Sequence, residues 1–105
     1  MKASELLTKC LERPALYVGY ESVTLIKAFV DGYIYGYEDG SKNDGNSVRD
    51  PLYSGFQDWV SNRFKLRTEH DWASIITFMG VSDTSACRLA KKLWKKYREQ
   101  VEESQ

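Results

Sequence analysis

Residues 82–103 read SDTSACRLAKKLWKKYREQVEE. Ala86, Leu89, Ala90, Leu93, Trp94, Tyr97 and Val101 recur there at the spacing of a single helical face. The positions between them are mostly Lys, Arg and Glu. Ser82 stands where an N-cap is needed, with Asp83 in the first turn, where the helix dipole favours an acid. The alanines predict tight packing near the start of this helix. The rings predict a wider gap beyond.

The same period runs through residues 22–40. Behind a capping Ser22, the residues Ile26, Phe29, Val30, Tyr33, Ile34 and Tyr37 form an apolar stripe. Gly32 and Gly36 weaken that helix by up to ~1 kcal/mol each relative to alanine. They lie four apart, so a neighbouring helix is expected to approach closely there. Gly40 is a natural C-terminal stop.

Three shorter helices complete the reading. The first is capped by Ser4 and runs to about Glu12, with Leu6, Leu7, Cys10 and Leu11 on one face. Pro14 closes it. ALYVGY then reads as a short extended turn, with Gly19 free to take positive φ. Residues 40–51 (GSKNDGNSVRDP) are rich in turn formers and make the longest loop. The next helix spans about Leu52 to Leu66, with Leu52, Phe56, Trp59, Val60, Arg63 and Phe64 at helical spacing and Gly55 facing away. The fourth in chain order of these five spans about Asp71 to Met79, with Trp72, Ile75, Ile76 and Met79 inward and Asp71 where a cap or first-turn acid is favoured. Its SIITF segment is β-branched enough to suit a strand as well. Gly80 ends it. The expected fold is all-α, a compact bundle of about five amphipathic helices in one domain over residues 1–105.

The chain has 105 residues, 42% hydrophobic and 29% charged, a balance that folds rather than stays disordered. No apolar run approaches the ~18 residues of a membrane span. MKASELLTKCLERP lacks an apolar stretch of signal-peptide length, so a cytosolic location is expected. In a reducing compartment Cys10 and Cys87 read as small buried hydrophobes. Net charge is zero but divided. Residues 1–60 carry six basic and nine acidic groups, a net −3, and residues 61–105 carry nine and six, a net +3. A division of this kind predicts two differently charged faces, or plain solvated surface.

Catalytic chemistry finds little footing. The single histidine, His70, lies between Glu69 and Asp71. Sequence neighbours do not face one another on a helix, so an exposed or capping role is expected for it. One His and two distant Cys do not make a zinc site. Glu38, Asp39, Asp44 and Asp50 are candidate ligands for a hard cation, but their spacing does not fit a calcium loop. No enzyme activity and no cofactor are expected. Arg88, Lys91, Lys92, Lys95, Lys96 and Arg98 follow one another without an intervening acid. They read either as a phosphate-binding helix or as the solvated side of an amphipathic one.

ERPALYVGYES, LIKAFVDGYIYG, FQDWVSNRF and DWASIITF together resemble a family of small bacterial immunity proteins from polymorphic toxin and contact-dependent growth inhibition systems. The matching residues are Arg13, Pro14, Tyr17, Gly19, Gly32, Tyr33, Phe56, Trp59, Phe64, Trp72, Ile75 and Ile76. The likeness covers about residues 5–80 and transfers no catalytic residue. It implies a cytoplasmic inhibitor of one cognate toxin domain, a basic nuclease, for instance one that cuts tRNA. The alternative is a small nucleic-acid-binding module using the basic C-terminal helix.

A partner surface is expected on the 22–40 helix. Asp31, Tyr35 and Glu38 stand at i, i+4 and i+7 and align on one side. Asp39 and Asp44 continue the acidic character, and Asp50 and Asp58 are placed on the same side. Tyr35 is the expected anchor and the carboxylates the expected partners of toxin Lys and Arg.

Overall fold

A computed structural model describes residues 1–40, 48–65 and 70–104, with the side chains of 39 and 40 excepted. Among the described residues every regular element is a helix: α1 Ala3–Glu12, α2 Pro14–Val18, α3 Val23–Gly40, α4 Pro51–Arg63, α5 Trp72–Gly80 and α6 Asp83–Glu103. No helix among them is long and apolar enough to cross a membrane. The all-α bundle expected from the helical stripes is the observed architecture. α6 packs against α1, α3, α4 and α5, and α3 packs against α1 and α5.

The extra helix is α2, where an extended turn was expected. Pro14 sits in its first turn, where the missing N–H costs nothing, so the proline opens a helix as well as closing one. Gly19 ends α2 at φ 82° and donates its N–H to the Ala15 carbonyl at 2.9 Å.

The expected caps hold at Ser22, Asp71 and Ser82. Their side chains accept from the N–H groups of Leu25 (3.2 Å), Ser74 (2.7 Å) and Ser85 (3.2 Å). Ser4 is different. α1 begins two residues earlier, with Lys2 at the N-cap position, and Ser4 lies buried inside its first turn. The N–H groups of Ala3 and Ser4 are satisfied from across the molecule, by the Val48 carbonyl at 2.8 Å and by Asp50 Oδ1 at 3.1 Å. Ser4 Oγ donates to the other Asp50 oxygen. Asp50 thereby caps α1 remotely, while standing at the N-cap position of α4 without capping it.

The core runs along α3 through Val23, Ile26, Val30 and Ile34 and meets Leu7 and Cys10 of α1. Phe29 and Tyr37, expected inside, are exposed instead, because successive steps of three and four settle the buried stripe on one narrow line. Met79 is likewise exposed. Tyr53, Phe56, Trp59, Trp72, Trp94 and Tyr97, on α4–α6, form one aromatic cluster. Phe56 lies edge-on to Trp94 at 4.9 Å between centroids and 5.3 Å from Tyr97. Each polar tip finds an acceptor. Trp94 donates to Thr8 (2.8 Å), Trp59 to Gln100 (2.7 Å), Tyr97 to the Leu52 carbonyl (2.6 Å) and Tyr53 to Asp31 (2.9 Å).

The glycines reverse their expected roles. A Cβ on Gly32 or Gly36 meets nothing within 4 Å, so no helix among the described residues approaches there. A Cβ on Gly55, expected to face away, falls 2.5 Å from the Tyr97 hydroxyl. Gly80 stands against α6: its Cβ falls 2.7 Å from both the N and the Cβ of Ala86. The positive φ that ends α5 belongs to Val81, at φ 72° and ψ −47°. Ser82 N–H closes on the Gly80 carbonyl at 2.8 Å, a three-residue γ-turn that strains a β-branched residue.

Candidate functional site

Helix α3 carries apolar residues on two faces. Beyond the buried stripe, Leu25, Ala28, Phe29, Gly32, Tyr35 and Gly36 are all exposed. At 3.6 residues per turn they occupy an arc of about 120°. None is charged. Tyr35 is 70% exposed and Phe29 42%. A solvated helix face ordinarily carries Lys, Glu or Gln, so this one is unusual.

The expected acidic companions divide. Tyr35 and Glu38 are exposed as the i, i+4, i+7 reading requires. Asp31 points to the flank instead. It pairs with Lys27 and accepts from Tyr53 Oη at 2.9 Å. Lys27 also reaches Asp71 at 3.9 Å. Burial, then the Asp31 carboxylate, pushes the Tyr53 hydroxyl well above its ordinary range, so the phenol stays a donor. Lys27, Asp31, Tyr53 and Asp71 line a cleft of about 180 Å³ between α3, α4 and α5, with Arg49 and Gln57. Asp50 is 8% exposed and committed to Ser4, so it is not a surface acid. Asp58 is exposed on α4. The Asp39 side chain and Asp44 lie outside the described residues.

His70 is exposed, and its carbonyl accepts from Gln57 Nε2 at 3.3 Å. Glu69 lies outside the described residues. Among the described residues no three His, Cys, Asp or Glu side chains gather as a metal site. The cation-ligand set Glu38, Asp39, Asp44 and Asp50 is broken at Asp50 by its burial beside Ser4.

Two further surfaces were not separated by pattern alone. At the α5–α6 corner Phe78 is 81% exposed and the strained Val81 94%. A γ-turn at a β-branched residue leaves no sequence signal, because local preference opposes it. On α6, Arg88, Lys91, Lys92, Lys95 and Lys96 are exposed, and Arg98 is half-buried with its guanidinium 5.9 Å over the Trp94 ring.

The second face of α3 had a weak signal. Leu25, Ala28, Phe29, Gly32 and Gly36 repeat at helical spacing in their own right, but Phe29 also fits the spacing of the core stripe. Comparison of the chain with protein-family models, with curated proteins and with solved structures finds no match.

Proposed function

We propose that this protein is an immunity protein that binds and neutralises a cognate toxin domain through the outer face of α3. The observation that carries the reading is a helix face that from Leu25 to Gly36 holds no charge and bears a tyrosine at 70% exposure. A large rigid ring with little rotamer entropy is the side-chain type that anchors protein interfaces. Leu25 and Phe29 flank it with apolar area. Gly32 and Gly36 leave open space between them, into which a partner's side chains insert. Glu38 and Asp58 are exposed and supply negative charge towards a basic nuclease such as a tRNase. The resemblance carried by Arg13, Pro14, Gly19, Trp59 and Trp72 supports the same assignment. In this reading the chain performs no chemistry, requires no cofactor, and works in the cytoplasm of the cell that makes the toxin.

Asp31 and Asp50 take structural roles in the proposal. Asp31 steadies the α3–α4 flank through Tyr53, and Asp50 holds the start of α1. The test is growth of cells that produce a toxin nuclease domain, taken from a gene adjoining this one, together with the chain or its variants. Wild type protects. Tyr35→Ala weakens toxin binding by about 2 kcal/mol, roughly thirtyfold, as expected of an interface anchor, and Phe29→Asp abolishes protection. Full protection by both variants, with melting unchanged, refutes the surface. Failure of the wild-type chain to protect refutes the function.

A further inference from the structure

We infer that the outer face of α6 is a second binding surface, and that it takes the phosphate backbone of a nucleic-acid duplex. The surface is distinct from the α3 face and does not depend on the toxin reading.

Arg88, Lys91, Lys92, Lys95, Lys96 and Arg98 occupy an arc of about 160° around the helix, given 3.6 residues per turn. From Arg88 to Arg98 the row is about 15 Å long at 1.5 Å per residue. Among the described residues no carboxylate stands within ion-pair distance of any of the six. Arg88, Lys91, Lys92 and Lys96 have no acid at i+4, and Glu99 and Glu102, four residues after Lys95 and Arg98, close no ion pair with them among the described residues. Glu99, Glu102 and Glu103 follow only after the row ends.

A cleft of about 270 Å³ between α1 and α6 lies along its edge, lined by Lys91, Lys95 and Arg98 together with Thr8, Glu12 and Trp94. Arg98 Nε is buried at this point without a hydrogen-bond partner. The guanidinium carbon lies 5.9 Å over the Trp94 ring, which keeps the head group at the edge of this cleft.

The form of the polyanion follows from what the face lacks. A site for single strands combines cations with exposed aromatic rings on which bases stack. The rings of α6, Trp94 and Tyr97, are buried in the aromatic cluster. Cations without rings track a backbone, and one strand of a duplex presents a phosphate about every 3.4 Å of its axis. A 15 Å row therefore meets about four phosphates. Contacts to phosphates position a protein without reading bases, so the binding inferred here is independent of sequence.

The test is fluorescence anisotropy of the full chain with labelled 20-base-pair duplex DNA, duplex RNA and the separated strands. A polyglutamate peptide and anionic phospholipid vesicles serve as other polyanions. Four phosphate contacts give a log–log salt slope of about −3.6 on duplex, which is a loss of affinity of about 150-fold between 50 and 200 mM salt. Lys92→Gln and Lys95→Gln are each expected to reduce that slope by about 1, and the positions are exposed so the fold is kept. Similar affinity for duplex DNA and duplex RNA, above that for single strands, supports the proposal. Equal or tighter binding to polyglutamate, to vesicles or to single strands overturns it. So does a duplex slope shallower than about −1, or a slope unmoved by the two substitutions.

Discussion

Gly32→Ala and Gly80→Ala make the same chemical change with opposite expected outcomes. At Gly32 the added methyl enters open space, and the helix gains up to about 1 kcal/mol from the better propensity of alanine. At Gly80 it lands 2.7 Å from Ala86 N and Cβ. Carbon atoms pack at about 3.5–4.0 Å, so the first turn of α6 must retreat by roughly 1 Å. That retreat loosens Ala86, Cys87 and Ala90, all buried. Overpacking of this kind costs about 1–3 kcal/mol, and the propensity gain at the last position of a helix recovers only part of it. Urea unfolding followed by far-ultraviolet circular dichroism measures both. With a denaturant dependence of about 1.5 kcal/mol per molar, a net loss of 2 kcal/mol lowers the Gly80→Ala midpoint by about 1.3 M. Gly32→Ala should raise it by about 0.5 M on the same scale. A Gly80→Ala midpoint equal to wild type refutes the close α5–α6 approach. A Gly32→Ala midpoint lowered as far as that of Gly80→Ala refutes the open outer face of α3.

Asp50→Ala removes two acceptors from buried Ser4 and should cost about 2–4 kcal/mol, with Asp50→Asn recovering part because its amide oxygen still accepts; equal denaturant midpoints for Asp50→Ala and wild type count against the remote cap. Val81→Gly relieves a positive φ at a side chain 94% exposed, so thermal melting should show a gain of about 0.5–1 kcal/mol after glycine's entropy cost. Burial pushes the Cys10 and Cys87 thiols up to about 11. Between pH 9 and 11 the unfolded chain has released these protons and the folded chain has kept them. Stability is therefore full below pH 9 and falls as pH rises, by up to about 1.4 kcal/mol per pH unit for each thiol. Tyr53 and Tyr97, raised by burial in the same direction, add to the loss above pH 10. Denaturant midpoints from pH 8 to 10.5 test this slope, and rapid native-state alkylation of both cysteines contradicts their burial.

The sequence by itself determined the helical class and most of the helices. Apolar period, capping side chains and glycine stops are local properties, and a helix is held by local hydrogen bonds. Ser22, Asp71 and Ser82 cap as read because a cap lies within three residues of the N–H it serves. The C-terminal helix placed Ala86, Ala90, Leu93, Trp94 and Tyr97 inward, as the stripe required. α2 escaped because five residues are too few for a period to show.

Tertiary structure decided everything that depends on a distant neighbour. Whether a glycine makes room for another helix is a property of the partner, so Gly32 and Gly36 stand open while Gly55 and Gly80 are pressed. Asp50 looked like one more surface acid, but the chain returns it to the start of α1, where two buried groups need an acceptor. Asp31 was drawn from the expected contact surface by Lys27 four residues earlier and by Tyr53 on another helix. Phe29 lies on the surface because one line of α3 already fills the core space that α1 and α5 leave. A sequence specifies which residues share a face of one helix. Which face meets the core, and which is left for a partner, is set only when the other helices have taken their places.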